Sequence, residues 1–213
     1  TAQAEKNLHN ARELFQSVLQ STFSQKGDDW VDRPIGELCD ILNGFAFKSK
    51  DAIESSNVQV IRMGNLYQNE LSLNRKPAFY PENFSTEFEP FLLTEGDIIM
   101  SLTGTVGKED YGFAVRIPET ERKLLLNQRI AKFHSFNGTL YDSYFLHFLK
   151  SRVFLDVLYS TSRGTRQANL SSVTIKELTV PISPLPTQQA IVEKLDALSE
   201  ETKALEAIYE RKQ

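Results

Sequence analysis

Apolar residues recur at helical spacing at both ends of the chain. Toward the C-terminus Ile191, Leu195, Leu198, Thr202, Leu205 and Tyr209 fall at intervals of four and three, with mostly charged residues between them. That spacing is the seam of a coiled coil. Pro184 and Pro186 bar a helix before them, Thr187 suits an N-cap, and no Gly or Pro follows. Toward the N-terminus Ala4, Leu8, Ala11, Phe15, Val18 and Thr22 repeat the pattern, widened by Leu14, Leu19 and Phe23, until Gly27, Asp28 and Asp29 end it. Neither helix can hide its stripe alone. Each needs a partner helix.

Between the helices the texture changes to short apolar runs separated by Gly and Asn. Residues 30–39 read as an extended opening segment, and Asn43-Gly44 as a turn in which Gly44 can take a positive φ. Residues 58–63, 97–102, 113–117, 124–133 and 173–182 read as strands, and 141–160 as a helix. The expected fold class is α+β: a mixed, mostly β domain over residues 30–185, with a helix at 1–29 before it and a coiled-coil helix at 186–213 after it.

Composition narrows the classes. The chain has 213 residues and a single cysteine, Cys39, which excludes an internal disulfide and points to a reducing cytoplasm. No apolar run is long enough to span a membrane, and no leader pattern opens the chain. It starts on Thr rather than Met, as a piece of a longer protein would. A net charge of −4 argues against strong nonspecific nucleic-acid binding. The charge is uneven, however. Residues 122–132 hold four cations and no carboxylate, and residues 150–166 hold four against Asp156 alone. Residues 77–107 have no cation but carry Glu82, Glu87, Glu89, Glu95 and Asp97. A basic side and an acidic side are therefore expected, against the plainer reading of ordinary solvated faces.

The candidate chemistry is polar rather than catalytic. Asn127, Gln128 and Arg129 follow an apolar run; such groups either read base edges and hold phosphates or satisfy backbone at a strand bend. Residues 162–169 form a donor-rich loop containing Arg163, Gly164, Arg166, Gln167 and Asn169. Residues 101–108 resemble a phosphate loop without Walker spacing, so a hairpin with outward hydroxyls is expected, with Thr103 and Lys108 in reach of a nucleic-acid backbone. His9, His134 and His147 are scattered, and one cysteine makes no zinc site. Asp97 with Glu121 and Lys123 imitates a nuclease metal site, although Glu121 lies in a polar stretch.

Five segments carry a resemblance: NGFAFKS at 43–49, EGDIIMSLTGTVGK at 95–108, LLNQRIAKF at 125–133, QANLS at 167–171 and the run opening PLPTQQAIVEKL at 184. Together with residues 4–23 they resemble the specificity (S) subunit of type I restriction–modification enzymes. The resemblance implies a non-catalytic target-recognition domain that reads half of a split double-stranded DNA site, with conserved helices setting the spacing. It implies methyltransferase (M) and restriction (R) subunits as partners in a prokaryotic defence system. S-adenosylmethionine, Mg and ATP would belong to those partners, with no cofactor in this chain. One recognition domain rather than two implies either a C-terminal portion or a half-subunit, the latter dimerising through its helices. The two helices could also pair within one chain.

The candidate DNA contacts are Arg129, Lys108, Arg163, Arg166 and Gln167, with Lys48, Arg62, Asn65, Thr103 and Asn169 behind them. Base readers are expected in stretches less typical of the family, 67–80 and 108–111. The helix seam is Leu8, Phe15, Val18, Ile191, Leu195, Leu198, Leu205 and Tyr209. Two other classes stay open: a metal-dependent nuclease using Asp97, Glu121 and Lys123, and a helical adaptor that binds only protein.

Overall fold

The computed structural model describes residues 2–105, 107–161 and 167–210. Two long helices, Ala2–Ser24 and Leu185–Glu210, run antiparallel and pack on each other within the one chain. Leu19 and Phe23 share a cluster with Val192 and Leu195, and farther out Arg12 grips Glu206 at 2.7 Å. Each helix is thus the other's partner. Of the seam residues, Leu8 and Leu195 are buried, and Phe15, Val18, Ile191, Leu198 and Leu205 are half-buried. Tyr209 lies in the helix, with its side chain outside the described residues. The C-terminal helix begins at Leu185, so Thr187 is inside it rather than capping it, and its N–H donates to the Pro184 carbonyl at 2.9 Å. Pro186 falls in the first turn, where a missing N–H leaves nothing unpaired.

Strand Val31–Pro34 pairs with Thr179–Ile182, bringing the roots of both helices together. Two four-stranded sheets stack beyond them. The first is antiparallel, in the order Ala114–Arg116, Ile98–Ser101, Ile130–His134, Asp40–Asn43. The second runs Phe79–Tyr80, Val58–Ile61, Lys123–Leu126, Leu92–Leu93, and its central pair is parallel. Side chains alternate between layers. Ile98 and Met100 face the helices, while Ile99 meets Leu124 and Leu126 between the sheets. Leu125 turns outward with Val58 and Val60 to a layer containing Phe47, Phe84 and Phe88. Both faces of these strands are covered, which is why they are mostly apolar, with Gln59 a buried exception.

The α+β architecture follows the sequence pattern, but several segments are more broken than it implied. Residues 141–160 form two helices, Asp142–Lys150 and Arg152–Thr161, parted at Ser151, whose backbone is extended and whose hydroxyl donates to the Phe148 carbonyl. Residues 35–38 make one helical turn that buries Ile35 and Leu38. A helix, Ser172–Glu177, precedes the last strand. No helix among the described residues is long and apolar enough to cross a membrane. Cys39 is buried, and burial first, then the nearby Asp40 charge, pushes its thiol up to about 12.

Candidate nucleic-acid interface

Four loops meet along one rim of the sheets. Between Leu126 and Ile130 the chain reverses in three residues. The Asn127 carbonyl accepts the Ile130 N–H at 2.9 Å, and Asn127 Oδ1 accepts the Arg129 N–H at 3.3 Å. Asn127 therefore shapes the bend, and Gln128 and Arg129 project exposed. Residues 44 and 45 lie against this bend: Phe45 donates to Leu126 and accepts from Gln128, each at 2.9 Å. A Cβ on Gly44 would collide with the Asn127 carbonyl. Close approach, not the expected positive φ, is what requires glycine there.

The Arg129 carbonyl accepts the Leu102 N–H and the Leu102 carbonyl accepts the Leu170 N–H, both at 2.9 Å. Strand Thr103–Thr105 pairs with Gln167–Asn169. The bend, the 101–108 loop and the 167–170 segment are thus side by side. Arg62 joins through Met63, whose sulfur accepts the Thr103 hydroxyl at 2.9 Å. Arg62 Nη2 also donates to the Tyr80 hydroxyl, which donates to the Lys48 carbonyl, both at 3.4 Å. Lys48, Arg62, Lys108 and Arg129 are carried on loops tied to one another, although in sequence they are far apart.

The loop holding Lys108 is braced from below. Asp110 accepts both the backbone N–H and the hydroxyl of Thr105 at 2.7 Å. Burial raises the Asp110 carboxyl, and these two hydrogen bonds outweigh it, holding the group below its ordinary value. Arg152 clasps Glu109 through two bonds of 2.6 and 3.0 Å and also binds Asp156. The Arg152 hydrogen bond holds Glu109 below the usual carboxylate range. Tyr159 donates to the Tyr111 carbonyl at 3.2 Å. A Cβ on Gly104 would strike Asp110 and Tyr111.

Several sequence expectations need correction. Asn65 is 2% exposed; its Oδ1 accepts the Arg62 N–H, and its Nδ2 donates to the Ser72 and Arg75 carbonyls. It clamps its own loop and does not project to the surface. Thr103 is buried with its hydroxyl on Met63, and the Thr105 hydroxyl turns to Asp110, so the hydroxyls do not face outward. Gln167 pairs through its backbone, with its side chain outside the described residues; Arg163 and Arg166 lie wholly outside them. Asn169 is exposed.

The run 122–132 forms no continuous basic face. Arg122 bonds Gln59 and Asn74 and lies over Phe79, Lys123 reaches Ser85, and Lys132 pairs with Asp97 at 2.7 Å. Of residues 122–132, Arg129 alone among the described cations projects without such a partner. The nuclease arrangement does not assemble either. The Asp97 carboxylate is engaged by Lys132 and the Thr94 N–H, while Glu121 lies beside Asn57 at the second sheet. Among the described residues no three His, Cys, Asp or Glu side chains group as metal ligands would. Unforeseen in the sequence was a hairpin, Leu66–Tyr67 with Glu70–Leu71; its trace is the polar run Gln68-Asn69-Glu70 between Tyr67 and Leu71.

Known proteins resemble this chain in sequence and in fold. Residues 27–212 match the model of the type I restriction modification DNA specificity domain. The Escherichia coli type I restriction enzyme EcoAI specificity subunit is 26% identical over 171 residues, 80% of this chain and 28% of that protein. The Methanocaldococcus jannaschii MjaVIII specificity subunit is 24% identical over 185 residues, 85% of this chain and 42% of the relative. The chain therefore spans less than half the length of these relatives. The HsdS subunit of Thermoanaerobacter tengcongensis has a similar fold, with a TM-score of 0.64 at 18% identity over 97% of this chain and 48% of that one. A chain from a structure of a type I R-M system gives 0.70 at 16% identity over 99% and 50%.

Proposed function

The chain belongs to the type I restriction modification DNA specificity domain family, and from that premise we propose that it reads duplex DNA sequence for a type I restriction–modification assembly. Residues 30–185 act as the target-recognition domain, and the helices on either side act as the spacer and the docking post for methyltransferase and restriction subunits. The observation that carries this reading is the convergence of Lys48, Arg62, Lys108 and Arg129 on one rim of mutually bonded loops. Lys48, Lys108 and Arg129 are exposed and Arg62 is half-buried; cations on a stiff frame hold phosphates, and the polar groups between them reach base edges. Asn169 joins the same rim, because strand Gln167–Asn169 is paired to Thr103–Thr105; Arg163, Arg166 and Gln167 are contacts proposed on their donor chemistry alone. The chain itself performs no chemistry; S-adenosylmethionine, Mg and ATP belong to its partners.

A second copy, or the other half of a longer subunit, completes the split site. Leu14 and Ile208 on the helix pair are 53% and 43% exposed. A groove of about 360 Å³ runs between the helices, lined by Ala11, Leu14, Leu198 and Leu205 and equally by polar Asn7, Asn10, Glu201 and Thr202. These features favour a further helical surface against the pair. Sedimentation at several concentrations checks this: association that strengthens with concentration supports the dimer, and a constant monomer mass argues for the longer subunit.

Base-resolution methylome sequencing of cells with the gene intact and disrupted tests the function. A split adenine-methylated motif that disappears with the gene is expected. An unchanged methylome contradicts the proposal. A protein-only adaptor would leave the methylome unchanged and show no salt-dependent DNA affinity.

A further inference from the structure

We propose that Gln68, at the tip of the hairpin Leu66–Leu71, is a specificity-determining residue that contacts the adenine of an A·T pair in the major groove. The inference rests on the DNA-reading proposal and goes beyond it by naming the element and the base.

Gln68 and Asn69 have φ of 51° and 63°, the left-handed pair that a two-residue hairpin loop demands. Asn tolerates this region; Gln has no such advantage, and Gly would relieve it. A residue held in an unfavourable conformation at a loop tip directs attention to what its side chain does. Gln68 is exposed, and its carboxamide makes no hydrogen bond among the described residues.

The hairpin is fixed rather than loose. Asn69 Oδ1 accepts the Ala114 N–H at 2.9 Å, anchoring the tip to the edge strand of the first sheet. The Tyr67 ring meets Phe113 edge-on at 5.8 Å between centroids, and the Arg75 guanidinium covers it at 5.0 Å. Asn65 closes the base of the same loop through the Ser72 and Arg75 carbonyls. Phe113 is bonded to Ser101, adjacent to Leu102 and Thr103 of the rim. The hairpin therefore stands beside Arg62 and the Ser101 end of the rim with its tip preset.

Its charge decides between holding and reading. Glu70 is the lone charge within the hairpin itself, and Arg75 is occupied on the Tyr67 ring. That combination is a poor phosphate clamp. A two-stranded ribbon fits the major groove, about 12 Å wide, and a carboxamide there matches the N6 donor and N7 acceptor of adenine.

Gln68→Gly and Gln68→Ala in the intact gene test this by base-resolution methylome, with Gly certain to accept the backbone. The expected result is a motif still split and methylated, but degenerate at one A·T pair, with preference there reduced about 10-fold or more. An unchanged motif, or relaxation only at G·C pairs, overturns the assignment. Loss of methylation at every site in both variants also overturns it, since the hairpin would then be structural. Absence of any gene-dependent motif in the wild type would instead overturn the DNA-reading proposal, and this assignment with it.

Discussion

At the scale of single residues, chemistry named by type in the sequence was sorted by direction in the structure. Asn65 is the sharpest case. Asn65→Ala leaves the Arg62 N–H and the Ser72 and Arg75 carbonyls without the partners they have now. The expected loss is about 1–3 kcal/mol in a denaturant melt, with loosening of residues 62–75 in hydrogen exchange. Gly44→Ala forces a methyl into the Asn127 carbonyl, and an overpacking cost of about 1–3 kcal/mol is expected in the same assay. Nothing in the sequence distinguished Asn65 from Gln128, because an amide's spelling does not say whether it faces backbone or solvent. Arg129, favoured in the sequence for its donor chemistry, is exposed at the bend. Arg122 and Lys132, equally cationic, are turned to Gln59 and Asp97 by strand pairings far away in sequence.

At the scale of elements, periodicity gave the two long helices, because a seam every three and four residues has one geometric meaning. It did not reveal the break at Ser151, where neither Gly nor Pro interrupts the pattern, nor the short strands that exist only through long-range pairing. The joint between the helix Asp142–Lys150 and the C-terminal helix makes its own prediction. His147 Nε2 lies 2.7 Å from Asp196 Oδ1, while its Nδ1 is buried without a partner. Burial lowers its pKa below 6.5, against the opposing pull of Asp196, with Lys150 and Arg116 adding to the lowering. Lys150 itself is brought down to about 8 by burial first and then by Lys203. Below pH 6.5 the unfolded chain binds a proton that folded His147 resists. The stability His147 contributes is thus complete above pH 6.5 and is lost as pH falls through the lower folded value. Thermal melts should show Tm dropping between pH 7 and pH 5, and dropping less in His147→Phe. Leu195→Ala, fully buried at the helix root, should cost about 2–5 kcal/mol.

For the whole molecule, the reader and its arms share one core. Leu19, Phe23, Val192 and Leu195 of the helices pack in the same cluster as Ile98, Met100 and Phe133 of the first sheet. The helices therefore continue the core of the sheet domain, as the proposed role in setting a distance between two half-sites requires. The central claim is that four rim cations hold duplex DNA, and salt dependence measures it most directly. For the wild-type chain on duplex containing its motif, log affinity against log salt should fall with a slope of about −3.6 for four phosphate contacts. In Arg129→Ala the slope should be shallower by about 1, with affinity reduced evenly across sequences. A slope near zero in the wild type, or one that Arg129→Ala leaves unchanged, would contradict the account.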